Sequence, residues 1–267
     1  MTALAALRWH SVSSTRQNEE CPRKYWFAYV ERVQVDRLVP DAWRFGTVVH
    51  AGLEAAYRAL GAGESLGQIV TCSSERTRAS WSEEQMAADP GALDRAVAIV
   101  ERAARRAVEE TTPADVLGVE HRFIGHTASG RRVIGFADLC LRAGPETVEI
   151  RDHKVTSHAR SDDELRSDYQ LAIYAWLARE EWPWATRVVG SHHYPTLDRI
   201  ERVELAPADV EQAAEHFEAT ARTADEDEVY LATPGDHCEW CVYSELCLAR
   251  AADRRRDEES QRVRRLP

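Results

Sequence analysis

Two carboxylates and a lysine stand in neighbouring apolar segments of this chain. Asp138 lies in the stretch GFADLCL, and Asp152 and Lys154 lie in VEIRDHKV, with a Gly-Pro turn between the two stretches. Apolar residues fill most other positions of these segments, so ionisable groups there need a reason. A carboxylate pair followed two residues later by a lysine suits metal-assisted cleavage of a phosphodiester bond.

Side-chain alternation along a strand predicts how these groups face one another. Residues i and i+2 share a face, so Asp152 and Lys154 lie on the same side. Antiparallel pairing of Arg142 with Val148 would place Asp138 directly opposite Asp152. Their Cβ atoms would then be roughly 5 Å apart, with Lys154 about 7 Å further along the strand.

Two carboxylates at that distance repel each other unless a cation lies between them. Oxygen ligands favour Mg²⁺ or Mn²⁺, and the lysine can orient an attacking water or stabilise charge on a phosphate. The alternative is an edge hairpin in which Asp138 or Asp152 forms an ordinary salt bridge with Lys154.

Three cysteines near the C-terminus, Cys238, Cys241 and Cys247, follow the spacing C-x2-C-x5-C. This spacing indicates a metal or cluster site that needs a fourth ligand from elsewhere. Cys21, beside a proline and basic residues, is the candidate. Four thiolates can hold zinc or an iron–sulfur cluster, and the spacing does not choose between them. Unrelated thiols on a helix face are the remaining alternative.

Apolar periodicity predicts helices at both ends of the chain and a run of strands between them. Positions 42–60 carry a 3.6-residue apolar stripe, Ser13 or Ser14 can cap a helix near the N-terminus, and 61–90 predicts a loop with a short helix. The other predicted elements are helices over 91–112, 162–181, 207–225 and in the C-terminal tail, and strands over 116–124, 131–142, 147–155, 186–194 and 199–205. This order predicts a mixed α/β (α+β) fold with helices flanking a central mixed sheet.

A length of 267 residues favours one elaborated domain, with a mainly helical part over 1–112, a core over 113–205 and a helical part over 206–267. No segment approaches the ~20 apolar residues of a membrane span, and the N-terminus lacks a signal-peptide pattern. We therefore expect a cytoplasmic protein with no membrane partner.

The net charge of −11 argues only weakly against nucleic acid as a partner, because net charge does not describe distribution. Seven arginines lie in 250–267, and Arg131, Arg132 and Arg142 flank the carboxylate segments. A basic groove on an acidic body is open, and so is a solvated charged helix in the tail.

Together these features resemble the RecB-like nucleases of the PD-(D/E)xK superfamily, and among them the small members with a cysteine-ligated 4Fe–4S cluster, such as CRISPR-adaptation nucleases and phage recombination exonucleases. The matching segments follow the family's order: SVSSTRQNEECPRKYWFAYV, FGTVVHAGLE, GFADL, IRDHK, YQLAIYAWL and the three C-terminal cysteines. Asp152 departs from the commonest pattern, which has glutamate there.

The resemblance implies a restriction-endonuclease-like fold and a metal-dependent DNA exonuclease that hydrolyses phosphodiester bonds and prefers single-stranded ends. It implies that Lys154 positions water and that Gln170 and Tyr174 hold the lysine or the DNA backbone. The implied ligands of Mg²⁺ or Mn²⁺ are His50, Asp138, Asp152 and the backbone carbonyl of His153. The implied ligands of a 4Fe–4S cluster, which would join the two ends of the chain as a collar, are Cys21, Cys238, Cys241 and Cys247.

Several alternatives stay open. Glu120, on the first predicted strand, could add a further carboxylate. The chain could instead be an iron–sulfur-stabilised DNA-binding adaptor with weak or no nuclease activity, or an enzyme of another kind with a four-cysteine zinc site. A helicase, a recombinase or a CRISPR integration protein are candidate partners. The sequence does not fix the polarity of digestion, exonuclease against endonuclease action, the oligomeric state or the pathway.

Overall fold

The computed structural model describes residues 8–35, 40–84 and 90–249. The chain forms two compact units. Of the described residues, unit 1 comprises 8–35, 126–133 and 215–249, and unit 2 comprises 40–84, 90–125 and 134–214. The strands are β1 (Trp9–His10), β2 (Val116–His126), β3 (Arg132–Gly144), β4 (Thr147–His153), β5 (Arg187–Tyr194) and β6 (Arg199–Glu204). The helices are α1 (Val12–Glu20), α2 (Pro22–Tyr25), α3 (Asp41–Gly61), α4 (Leu66–Glu83), α5 (Pro90–Glu110), α6 (Asp162–Arg166), α7 (Tyr169–Glu181) and α8 (Pro207–Glu226).

The six strands form one mixed sheet. β3 pairs with β2 and, antiparallel, with β4; β4 is parallel to β5, and β5 is antiparallel to β6. β1 pairs in parallel with the first two residues of β3. β4 is therefore an inner strand, and all its residues after Thr147 are buried. The predicted mixed sheet with flanking helices is confirmed, and an edge hairpin is excluded.

Helices α3, α4 and α5 pack together in unit 2. The apolar stripe of α3 places Val49, Leu53 and Leu60 in the core. The expectation of a loop over 61–90 is wrong, because a capping box of Ser65 and Gln68 starts a long helix there. The buried face of α4 carries small hydroxyl residues that bond to the helix's own carbonyls, so the apolar period is weak.

The single helix expected over 162–181 is in fact two helices. The side chain of Asp168 accepts hydrogen bonds from the backbone N–H groups of Gln170 and Leu171, and so caps a new helix, α7. The helices expected over 91–112 and 207–225 are confirmed by α5 and α8. The expected tail helix lies mostly outside the described residues.

Unit 1 gathers segments from both ends of the chain. Tyr25 packs with Ala224 and Tyr230 in a small core. Buried Asp225 forms ion pairs with Arg131 at 2.9 Å and with His10 at 3.2 Å. The N-cap of α1 is Ser11 rather than Ser13 or Ser14, and Ser14 is the reciprocal partner in the capping box.

None of the helices in the described residues is both long and apolar enough to cross a bilayer.

Gly52 on α3 is the point of closest approach to α4 and α5. A Cβ added there would lie 2.2 Å from Thr77 Oγ1 and 2.8 Å from Val100 Cγ1. We expect Gly52→Ala to lower the free energy of unfolding by about 1–3 kcal/mol, because the interior cannot expand without cost. Gly67→Ala is the control, since Gly67 faces open space; it should raise stability by up to about 1 kcal/mol. Equal urea midpoints for the two variants would contradict this packing.

Candidate active site

The hairpin of β3 and β4 has the register expected from the sequence. Arg142 pairs with Val148, and Leu139 pairs with Arg151. The next positions in that register are Asp138 and Asp152. At this end of the hairpin, a side chain takes part in the contact between the strands. The Oδ2 atom of Asp138 accepts a hydrogen bond from the backbone N–H of His153 at 2.6 Å.

Helix α3 brings His50 to this hairpin. The His50 Nδ1 atom lies 3.7 Å from Asp138 Oδ2. Burial lowers the pKa of His50, and the charges of Asp152 and Glu120, with a hydrogen bond to the backbone of His153, oppose that shift. A neutral imidazole is the form that binds metals. His50 thus stands among the other three implied ligands.

Glu120 joins the same group. The ligand atoms of His50, Glu120 and Asp138 all lie within 4.8 Å of one another, a spacing that could hold a metal ion. Burial, followed by the charges of Asp138 and Glu54, raises the pKa of Glu120. Its backbone has φ of 48°, in the left-handed region, which breaks the strand alternation from which its direction could be read. The resemblance did not include it among the metal ligands.

Asp138 carries an electrostatic cost within this site. Burial and the charge of Asp152 raise the pKa of Asp138 to about 7, against the hydrogen bond from His153 and the charge of Lys154. Without a cation, the Asp138 carboxyl group therefore takes up a proton at a higher pH than an ordinary aspartate does.

Lys154 follows the end of β4, and its Nζ lies 2.6 Å from Asp152 Oδ2. Gln170 Nε2 donates to the other oxygen of Asp152 at 2.9 Å, so the amide contacts the carboxylate rather than the lysine. Tyr174 is buried one turn along α7, and burial raises its pKa to about 12. Gly135 makes room for it, since a Cβ there would lie 2.7 Å from the Tyr174 ring. The predicted set thus converges on one site.

Lysine itself is scarce in this chain. Only two of its 34 basic residues are lysines, Lys24 and Lys154. The arginines show that the chain meets its other needs for positive charge with guanidinium groups. In a chain that otherwise uses arginine, a lysine beside two carboxylates indicates that this position needs a primary amine. The spacing of the motif does not give this information.

The opposite face of β4 holds a second charged group. Arg151 pairs with Glu149 at 2.7 Å, and both are buried. Tyr57 lies 3.1 Å from the Arg151 guanidinium, and Ser191 donates to Glu149 at 2.6 Å. Each charge therefore has neutral hydrogen-bond partners as well as its counter-ion. This network joins β4 to α3 and β5.

Cys21 and the three C-terminal cysteines, Cys238, Cys241 and Cys247, line one small cavity of unit 1, with a volume of about 20 Å³. Thr233 donates its N–H to Cys21 Sγ at 3.5 Å. Within residues 8–35 and 215–249, no three of these sulfur atoms lie within 4.8 Å of one another. A tetrahedral zinc ion with Zn–S bonds of about 2.3 Å would need closer thiolates. The donor chemistry suits a thiolate-bound group, but the sulfurs are not gathered around a single ion.

Asp138→Asn tests the cost of the buried carboxylate. A carboxyl whose pKa is raised on folding loses stability as pH rises from about 4 to about 7, because the unfolded chain ionises first. The variant removes that loss. Without metal, it should therefore unfold at higher urea than wild type, with a gain about 1–2 kcal/mol larger at pH 8 than at pH 5.5. Asp163→Asn, at an exposed position of α6, should show no such trend. A gain for Asp138→Asn that does not change with pH would contradict the assignment.

A structure of a protein from Eubacterium rectale, named "Putative exonuclease", has 14% sequence identity and a TM-score of 0.57, and the match covers 90% of this chain and 89% of that one. A structure of SSO0001 has 17% identity and a TM-score of 0.36, over 78% and 95% of the two chains. No protein of curated function matches. The profile of the PD-(D/E)XK nuclease superfamily matches residues 10–248, which include every residue of both sites. The chain belongs to the PD-(D/E)XK nuclease superfamily.

Proposed function

We propose that the protein is a divalent-metal-dependent DNA exonuclease that hydrolyses phosphodiester bonds from single-stranded ends. The observation that carries this proposal is the convergence of His50, Asp138, Asp152 and Lys154 on one inner hairpin of the sheet. Nuclease action follows from the family, and the name of the Eubacterium rectale neighbour supports attack from ends. We further propose that units 1 and 2 act as one nuclease domain.

His50, Asp138, Asp152 and the carbonyl of His153 would hold Mg²⁺ or Mn²⁺, with Glu120 within reach. When bound, the ion supplies positive charge to the phosphate oxygens. Hydrolysis adds a water oxygen to phosphorus and releases one ester oxygen. Lys154 lies where it can donate to that water or to the charged phosphate oxygens.

Gln170 and Tyr174 would be positioning residues. Gln170 donates to Asp152, and its side chain lies 3.5 Å from the Tyr174 hydroxyl. The pair would hold the Asp152 carboxylate while its partner Lys154 engages the substrate. The resemblance implies that Gln170 contacts the lysine or DNA. In the structure, Gln170 donates its hydrogen bond to Asp152.

Lys154→Arg is the sharpest test of the site, because it keeps the charge and changes its shape. We expect at least about a 100-fold loss of Mn²⁺-dependent cleavage, because a wide guanidinium cannot replace a compact donor. Lys154→Ala should lose as much, because it removes the donor altogether. Lys24→Arg, the same substitution at the only other lysine, should cleave as wild type does. Equal activity of both arginine variants would reject Lys154 as a catalytic residue.

The same assay, with linear and circular single- and double-stranded DNA, decides the class of enzyme. Loss of linear single strands alone marks an end-dependent exonuclease, whereas cleavage of circles marks an endonuclease. Failure of the folded wild-type protein to cleave any of them would reject the nuclease proposal and favour the DNA-binding adaptor.

We also propose that Cys21, Cys238, Cys241 and Cys247 hold a 4Fe–4S cluster, which would act as a structural tether rather than in catalysis. The support is that four thiols, distant in the sequence, line one cavity. Such a bond between distant parts of the chain stabilises the fold largely by restricting the unfolded chain.

Anaerobic purification tests this directly. The protein should be brown and contain about four iron atoms and no stoichiometric zinc. Cys247→Ser should lose iron and thermal stability together, whereas Cys72→Ser, outside the cavity, should keep both. Stoichiometric zinc in colourless protein would reject the cluster.

The pathway is a separate part of the proposal. A nuclease that prefers single-stranded ends would serve recombination, repair or CRISPR adaptation in the cytoplasm. A helicase, a recombinase or a CRISPR integration protein would then supply the ends. Co-purification of wild-type protein with one of these classes would support that placement.

A further inference from the structure

A second feature of unit 2 adjoins the metal site. A cavity of about 380 Å³ opens beside Lys154, and it also includes His50 and His153 among its walls. We call it the Lys154 cavity. Its volume is at the lower end of the range for pockets that bind small ligands, about 300–1,000 Å³. It is large enough for one small organic group adjoining the reacting phosphate.

The charge of its lining is opposite to that of the chain. The protein has 45 acidic residues and a net charge of −11. Among the described residues that line the Lys154 cavity, none is acidic, and the lining includes Lys154, Arg160 and His158. Lys154 and Arg160 pair with Asp152 and Asp168, which do not line the cavity, so the cavity surface itself offers only cationic and neutral groups to an anionic ligand.

The lining on the Arg160 side is held in place. The Arg160 guanidinium pairs with Asp168 at 2.5 Å, and its backbone N–H donates to the Tyr194 hydroxyl at 2.9 Å. Thr196 donates its hydroxyl to the carbonyl of Thr156 at 2.5 Å. The segment after β4 is thus fixed before any ligand binds, as preorganised recognition requires.

Trp43 supplies an aromatic surface on the other side. It lies in the first turn of α3 and is 58% exposed, although it is one of the largest apolar side chains. Gly46, one turn further, also lines the cavity, and a Cβ there would meet nothing nearer than Val155 at 4.0 Å. An indole and cationic side chains that line one cavity are the combination that can bind a base together with its phosphate.

We propose that the Lys154 cavity binds one unpaired nucleotide next to the scissile phosphate, with its base stacked on Trp43 and a phosphate near Arg160. This inference rests on the proposed nuclease function and names its specificity determinant. A base within a duplex cannot enter such a cavity without leaving its stack, which costs a few kcal/mol. Preference for single-stranded ends would follow.

The test combines protein variants with substrates that lack one base. Single-stranded oligonucleotides carry an abasic site at each of the first four positions from either end. Their dissociation constants are measured with Ca²⁺ in place of Mn²⁺, and kcat/KM with Mn²⁺. For wild type, one abasic position should weaken binding about 10-fold, equal to about 1.4 kcal/mol. For Trp43→Ala, the same abasic site should cost less than about 2-fold, because the stacking partner is already gone.

Two further variants separate stacking from damage to the fold. Gly46→Leu fills the cavity without removing any polar group, and it should weaken single-strand binding about 10-fold while leaving the unfolding midpoint unchanged or higher. Trp184→Ala removes a tryptophan that lies against Arg142 and not in this cavity. It should keep the full abasic penalty.

The outcomes distinguish this inference from the proposed function. Metal-dependent cleavage with no abasic penalty at any position, or an equal penalty in wild type and Trp43→Ala, would overturn the nucleotide site and leave the nuclease intact. An abasic penalty removed by Trp43→Ala without any cleavage would support the site and reject the nuclease. Failure to bind any single strand would overturn both.

Discussion

The site depends on the electrostatic repulsion between two neighbouring carboxylates, Asp138 and Asp152. Hydrogen-bond donors or positive charges must offset this repulsion. The charge of Asp152 and burial together raise the pKa of Asp138 to about 7. The backbone N–H of His153, the Gln170 amide and the Lys154 ammonium each offset part of this repulsion. Their contributions do not bring Asp138 back to an ordinary acidity. A divalent cation bound by these oxygen atoms would supply the positive charge that is still needed.

That arrangement depends on the register of β4, and the strand is charged on both faces. Asp152 faces the carboxylate site, while Arg151 and Glu149 lie on the opposite face with Tyr57 and Ser191 as partners. A slip of one residue would exchange the two faces. It would separate Arg151 from Tyr57 and Glu149 from Ser191, and so leave buried charged groups without hydrogen bonds at a cost of roughly 1–3 kcal/mol each. The buried network around Arg151 and Glu149 therefore favours this register over a shifted one.

The geometry of the hairpin could be predicted from the sequence because it depends on residues that are close together in the chain. Period-2 alternation and one short turn are enough to set Asp138 opposite Asp152. The same reasoning did not predict the long helix α4, whose buried face is made of hydroxyl side chains, nor the break at Asp168, where a cap interrupts a good helical pattern. The sequence predicts Glu120 only as a further carboxylate. Its backbone is in the left-handed region, so the alternation of side chains along a strand does not predict where its side chain points. His50 came from the resemblance and not from periodicity, because histidine on a helix has many ordinary roles.

An acidic protein that acts on an acidic polymer faces a constraint of its own. With a net charge of −11, the long-range field opposes the approach of DNA, and salt screens that repulsion within about 8–10 Å. Affinity must then come from short-range contacts at a place where carboxylates are either neutralised or absent. The proposed metal site would meet the first condition, and the lining of the Lys154 cavity meets the second. The proposed stacking on Trp43 would not depend on the sign of the surrounding charge, so it would add affinity where electrostatic attraction is weak. In the proposed reaction, the flexible end of a single strand would enter the Lys154 cavity more readily than the side of a duplex would approach the acidic surface.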